Sequence, residues 1–218
     1  TAKVWRIDSG QAIDSLPGGA GGLQAVAYSP DGAQLATGGQ DGAARVWNAE
    51  PEFDLLIFSD HTGPVRSVNF SPDGTLATTG GSDHTARVWD AATGASLFVF
   101  SDHNQVVNDA ALNADNSLLA TASDDFNARL WDLNTGEVQL PLLFHNGPVN
   151  SVVFSPNGRL LLTASDDGFA RLWDVTDHSL QVRFDNEGQV VNRAVFSADG
   201  TRLATAGGGG LARVWSAE

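Results

Sequence analysis

Residues 61–90 read HTGPVRSVNFSPDGTLATTGGSDHTARVWD, and this stretch decides the fold. It holds three apolar segments, PVRSVNF (64–70), TLATTG (75–80) and TARVW (85–89), and a fourth, FDLLIFS (53–59), precedes them. Each is too short for a helix and is bounded by turn residues, which predicts four antiparallel strands. Between the second and third strands stands SPDG (71–74). Its proline pre-sets φ and its closing glycine tolerates φ > 0, as a tight turn between antiparallel strands requires.

The unit repeats. Trp5, Trp47, Trp89, Trp131, Trp173 and Trp215 lie 42 residues apart, and the chain has no other tryptophan. They define five windows without insertion, 6–47, 48–89, 90–131, 132–173 and 174–215. The turn recurs as SPDG (29–32), NADN (113–116), SPNG (155–158) and SADG (197–200). A unit of this size cannot bury its own apolar faces, so neighbouring copies must stack into a common core. Pro141 interrupts the first strand of the fourth window, which predicts an outer edge strand there.

The windows resemble WD40 repeats over essentially the whole chain. The signature dipeptide stands at Trp89-Asp90, Trp131-Asp132 and Trp173-Asp174, and decays to Trp47-Asn48, Trp215-Ser216 and Trp5-Arg6. The resemblance implies an all-β propeller of four-stranded antiparallel blades, each repeat supplying the outer strand of one blade and three inner strands of the next. The first residues, TAKVWRID, duplicate the strand LARVWSAE at the end, which makes 21 strands rather than the 20 of a closed five-bladed ring. Residues 1–218 are therefore expected to be one propeller domain or an excised section of a larger one.

Composition narrows the function classes. The formal net charge is −14, with 26 acidic residues against 12 basic ones, and Lys3 is the only lysine. Such a surface repels phosphate backbones and argues against nucleic acid and anionic membranes as partners. No run approaches the length of a membrane-spanning helix and no signal-peptide pattern leads the chain, so a cytoplasmic location is expected. Without cysteine there are no disulfides and no thiolate metal sites.

His61, Thr79 and Asp83 have the composition of a nucleophilic triad, but the set recurs as His103, Thr121, Asp125 and as His145, Thr163, Asp167. Three identical active sites in three separate blades argue against catalysis. The resemblance implies instead a buried hydrogen-bonded tetrad with Trp89, Trp131 and Trp173. The end windows depart from it: Gly19, within GGAGG (18–22), stands at the first histidine position, and in the last window Glu187 replaces the histidine and Gly209 the aspartate. Looser terminal blades are expected. GGAGG and GGGG (207–210) lack the Lys-Ser/Thr of a phosphate loop, and Asn69-Phe70-Ser71 reads as a chance glycosylation match in an innermost strand.

Five residues beyond each histidine position come Gln24, Arg66, Asn108, Asn150 and Asn192, a polar ring at the start of the innermost strands. The resemblance implies that these top-face positions surround the channel mouth and contact peptides or proteins. Turns on the same face add Gln40, Ser82, His84, Asp124, Phe126 and Asp166. Phe126 is the candidate aromatic anchor. The expected function is a non-enzymatic scaffold without cofactor or metal, binding a protein or a basic or amide-rich peptide. Two alternatives stand beside it: a regulatory propeller fused to a kinase or protease, and an engineered or truncated repeat polypeptide that self-assembles through open blade faces.

Overall fold

The computed structural model describes residues 1–48 and 55–217, and the elements among them are β-strands apart from a three-residue 3-10 turn at Gly208–Gly210. Strands β1 (Ala2–Trp5) and β2 (Ala12–Leu16) pair as a two-stranded sheet. Blade one comprises β3 (Leu23–Tyr28), β4 (Gln34–Gly39), β5 (Ala44–Asn48) and β6 (Leu55–Phe58). Blade two comprises β7 (Val65–Phe70), β8 (Leu76–Gly81), β9 (Ala86–Asp90) and β10 (Ser96–Phe100). Blade three comprises β11 (Val107–Leu112), β12 (Leu118–Ser123), β13 (Asn127–Asp132) and β14 (Val138–Phe144). Blade four comprises β15 (Val149–Phe154), β16 (Leu160–Ser165), β17 (Phe169–Asp174) and β18 (Leu180–Asp185). Blade five has three strands, β19 (Val191–Phe196), β20 (Arg202–Gly207) and β21 (Ala212–Ser216).

All pairings are antiparallel, and each outer strand comes from the following 42-residue window, as β6 completes blade one from the window 48–89. The architecture is the all-β propeller type that the repeat pattern predicts. Of the stretch FDLLIFS, Phe53 and Asp54 lie outside the described residues. The turns close as their sequence requires: Gly32, Gly74, Gly158 and Gly200 have φ of 71–74°, and Asn116 takes the same role at 58°. β14 pairs only with β13, so Pro141 lies on an edge strand, where the ladder also slips between Ala128 and Leu130.

The core lies between blades rather than within them. Trp89 of blade two stacks on Phe58 of blade one, with ring centroids 4.9 Å apart and planes 9° from parallel. Ala36, Ala44, Val46, Val65 and Val68 close the same cluster. Trp131 meets Phe100 and Trp215 meets Phe184 at the corresponding boundaries, with the rings tilted at 45° and 54°. Truncating such a tryptophan to alanine removes about 3–5 kcal/mol. The inner strands β3, β7, β11, β15 and β19 contact one another in sequence and so line a channel.

Positions equivalent by the repeat differ at the ends. Val68 and Val152 are 2% and 3% exposed, whereas Val26 of blade one is 60% exposed. Leu130 and Leu172 are 2% and 1% exposed, whereas Val214 of blade five is 69% exposed. The cause is local: the sheet beside blade one has only β1 and β2, and no outer strand pairs with β21 among the described residues.

Candidate functional site

In all five innermost strands the ladder slips at one place. The breaks fall between Leu23 and Ala25, Val65 and Ser67, Val107 and Asp109, Val149 and Ser151, and Val191 and Arg193. The residues skipped are Gln24, Arg66, Asn108, Asn150 and Asn192. The polar ring is thus a ring of β-bulges, a device that re-aims side chains. Asn108 Nδ2 donates to Asp124 Oδ1 at 2.7 Å and to the Val149 carbonyl of the next blade at 3.0 Å. Asn150 repeats this with Asp166 and Val191, again at 2.7 and 3.0 Å. Arg66 Nε donates to Ser82 Oγ at 2.8 Å. These bonds bring the bulges and the turns to one end of the channel, where Gln24 and Asn192 are exposed.

His84 and Phe126 occupy the same turn position as Gly42, Gly168 and Gly210. They share its left-handed backbone, with φ of 69° and 71° against 79°, 87° and 72° for the glycines. That conformation costs a residue with a Cβ about 1–2 kcal/mol. Phe126 is also 41% exposed. A strained, exposed aromatic at a channel mouth is a motive to look for binding there.

The three histidine sets each assemble inside one blade edge. His61 Nε2 lies 2.7 Å from Thr79 Oγ1, Trp89 Nε1 donates to the same oxygen at 2.9 Å, and His61 Nδ1 is 3.0 Å from both oxygens of Asp83. In blade three Thr121 Oγ1 is 2.7 Å from His103 Nε2 and 2.9 Å from Trp131 Nε1, and His103 Nδ1 is 2.8 Å from Asp125. In blade four Thr163 Oγ1 is 2.7 Å from His145 Nε2 and 3.0 Å from Trp173 Nε1, and Asp167 lies 3.3 Å from His145 Nδ1. All three threonines are fully buried. A hydroxyl with its partners inside the blade has no path to a substrate, so the sets are built for satisfying buried polar groups.

Burial lowers the pKa of His61 and of His103 and favours the neutral ring. Burial pushes the Asp83 and Asp125 carboxyls up, but hydrogen bonds from the histidines, and for Asp125 also from Arg129, leave both below the ordinary value. In blade two the geometry is that of a relay: Nδ1–H donates to Asp83, Nε2 accepts from Thr79, and the threonine oxygen accepts from the indole.

Sequence reasoning missed one member. Arg45, Arg87, Arg129, Arg171 and Arg213 each stand two residues before a repeat tryptophan, so the 42-residue period carried the signal. Arg129 and Arg171 close over Asp125 and Asp167 at 2.6 Å and also contact Nδ1 of His103 and His145. In blade two the Thr85 hydroxyl donates to Asp83 instead, at 2.8 Å, and Arg87 turns towards Asp60 at 3.7 Å and over the Trp89 ring.

The WD domain, G-beta repeat family matches residues 10–48, 54–90, 94–132, 137–174 and 179–216. The chain belongs to the WD40 repeat family. It is 38% identical over 60 residues to a periodic tryptophan protein 2 homolog of Dictyostelium discoideum, a span of 28% of this chain and 6% of that protein. It is 36% identical over 58 residues to the Mus musculus homolog, covering 27% of this chain and 6% of the relative. The chain therefore spans about 6% of the length of these curated relatives.

The two terminal WD40 blades replace the tetrad differently. In blade one a Cβ on Gly19 would overlap the Asp41 carboxylate. Asp41, bound by Arg45 at 2.6 Å, fills the space of the imidazole, and the Trp47 to Thr37 bond is 3.4 Å. In blade five the residue in the histidine place is Asn186, not Glu187. Its N–H donates to the Gly168 carbonyl at 2.9 Å, as that of His145 does to Phe126 at 2.8 Å. Asn186 is buried and accepts from Arg213 at 2.7 Å, while Glu187 reaches outward to the same arginine. The physical reason is the outer strand. β14 slips at its bulge and pairs Leu143 with Ala128, whereas β18 pairs Phe184 with Ala170, one residue earlier in the repeat. Positive φ at Glu187 and Gly188 then absorbs the spare residue.

The remaining sequence candidates have local roles. Within GGGG, Gly207 ends β20 and Gly208–Gly210 form the 3-10 turn. Asn69 Nδ2 is committed to Asp109 Oδ1 and the Ala110 carbonyl, both at 3.0 Å. Among the described residues no group of three or more His, Asp or Glu could hold a metal ion, and no helix is long and apolar enough to cross a membrane.

Proposed function

We propose that this WD40 chain is a non-enzymatic scaffold that binds a protein or peptide on the channel end bearing Gln24, Arg66, Asn108, Asn150 and Asn192. The observation that carries the reading is the retention of Phe126, and beside it His84, at a left-handed turn position where three other repeats have glycine. Residues that cost backbone energy on an exposed rim are explained by contacts outside the fold. Asp124 and Asp166, fixed by the bulge asparagines, turn carboxylates to the same rim, and with the net charge of −14 they favour a basic or amide-rich segment.

The test is selection of binders from a displayed peptide library on the whole chain, followed by affinity measurement on Phe126→Gly. This variant relieves the strained backbone, so its stability should rise by about 1 kcal/mol while affinity for the selected peptides falls at least tenfold. Unchanged affinity, or selection of peptides without basic or amide residues, would overturn the reading.

A further inference from the structure

Arg66 and Arg193 stand out in a chain this acidic, because both line one channel cavity of about 260 Å³ with Gln24, Asn69, Asn108 and Asp109. Arg193 holds a position that is Ala25, Ser67, Asp109 and Ser151 in the other repeats. Its side chain forms no ion pair or hydrogen bond among the described residues, and Arg66 uses only Nε, on Ser82. Asp109 does not serve them as a direct partner. It is 2% exposed, and its oxygens accept from Asn69 Nδ2 and Ala110 N at 3.0 Å and from Val152 N at 3.3 Å. The Nη donors of Arg66 and the guanidinium of Arg193 are therefore open to the cavity, with Arg193 acting on Asp109 through its charge alone.

Asn69, Asp109 and Arg193 also line a second cavity of about 310 Å³, whose other walls include Phe70, Leu112 and Phe154. The two cavities meet at a polar waist, with cations above it and an apolar section beyond. The two arginines make the waist cationic. The apolar section beside these cations fits a carboxylate carried on an apolar residue, a combination that inorganic phosphate does not offer. Guanidinium forks also match a carboxylate in geometry.

We propose that the channel waist binds a peptide carboxylate between Arg66 and Arg193, with an adjoining apolar side chain in the lower cavity. This site rests on the peptide-binding reading above and adds to it an acidic anchor inside the basic-selective rim.

The probes are N-acetylated tripeptides ending in leucine, as free acids and as C-terminal amides, with inorganic phosphate as a third arm. The readout is the Nε–H NMR signals of Arg66 and Arg193 in the full chain. The acid should shift both signals saturably at millimolar concentration, and the amide and phosphate should not. Arg193→Gln, with unchanged urea midpoint, should weaken acid binding at least tenfold. Equal response to acid and amide, tighter binding of phosphate, or no response to the acid would overturn the proposal. Phe126→Gly separates the two readings: loss of displayed peptides with acid binding intact assigns failure or success to rim and waist independently.

Discussion

At the residue scale the decisive pairing is a neutral imidazole with an ionised aspartate inside one blade edge. His61 and His103 are held by burial below their ordinary value of 6.5. Below that pH the unfolded chain takes up protons that the folded rings refuse, so stability is full above about 6.5 and falls as pH drops. Asp83 and Asp125, lowered from 3.8, add a second loss in the same direction as pH falls through their folded values. Asp109 has the opposite sign, because burial raises its carboxyl and its protonation favours the fold. With Asp109 replaced by asparagine to remove the opposing carboxyl, urea midpoints should decline as pH falls below about 6.5. His103→Gln should flatten that decline while lowering the midpoint at pH 7. A midpoint that rises on acidification through this range would contradict the neutral-ring assignment. The members of these sets were legible because histidine, threonine, aspartate and tryptophan recur at fixed offsets. Arg129 and Arg171 recur just as regularly, but an arginine beside a tryptophan reads as an ordinary exposed strand residue until its partner is seen.

At the scale of the strand and the blade, the 42-residue period conveyed the strands, the SPDG turns and the edge position of β14. It hid the bulges, because a slip that recurs in every copy leaves the period unchanged. It also hid Asn186, where the bulge of one outer strand is traded for a longer turn and the two changes cancel in the count. The terminal blades differ from the middle ones in a measurable way. Blades two, three and four tie the loop that follows their outer strand of the preceding window to the blade through His61, His103 and His145. Blade one has only Asp41 and Arg45 in that place, and blade five has Asn186 and Arg213. Amide exchange should therefore be slowest in β8, β12 and β16 and faster in β4 and β20, by about tenfold or more for each 1.4 kcal/mol of lost local stability. Equal protection in all five blades would show that stacking, not the tetrad, sets local opening.

At the scale of the whole molecule, the two terminal faces are complementary by construction. Val214, with Ala206 and Ala212, presents the surface whose equivalents Val46 and Ala44 bury Val68 between blades one and two. Val26, the repeat equivalent of Val68, is exposed at the other end. Exposed apolar faces of this kind drive association. For the 218-residue chain alone we propose that a second copy is the occupant, because the surface that fits Val26 is the one around Val214. Such a contact is heterologous, joining unlike faces. Sedimentation should then give a mass above 22.8 kDa that rises with concentration, and Val214→Asp should return it to the monomer. The charge would be placed on a face where burial without a partner costs several kcal/mol, while the isolated chain, which already exposes that residue, loses little. A monomer of unchanged mass at all concentrations would overturn the pairing, and an unfolding midpoint unchanged in Val214→Asp would confirm that the face stays exposed in the single chain.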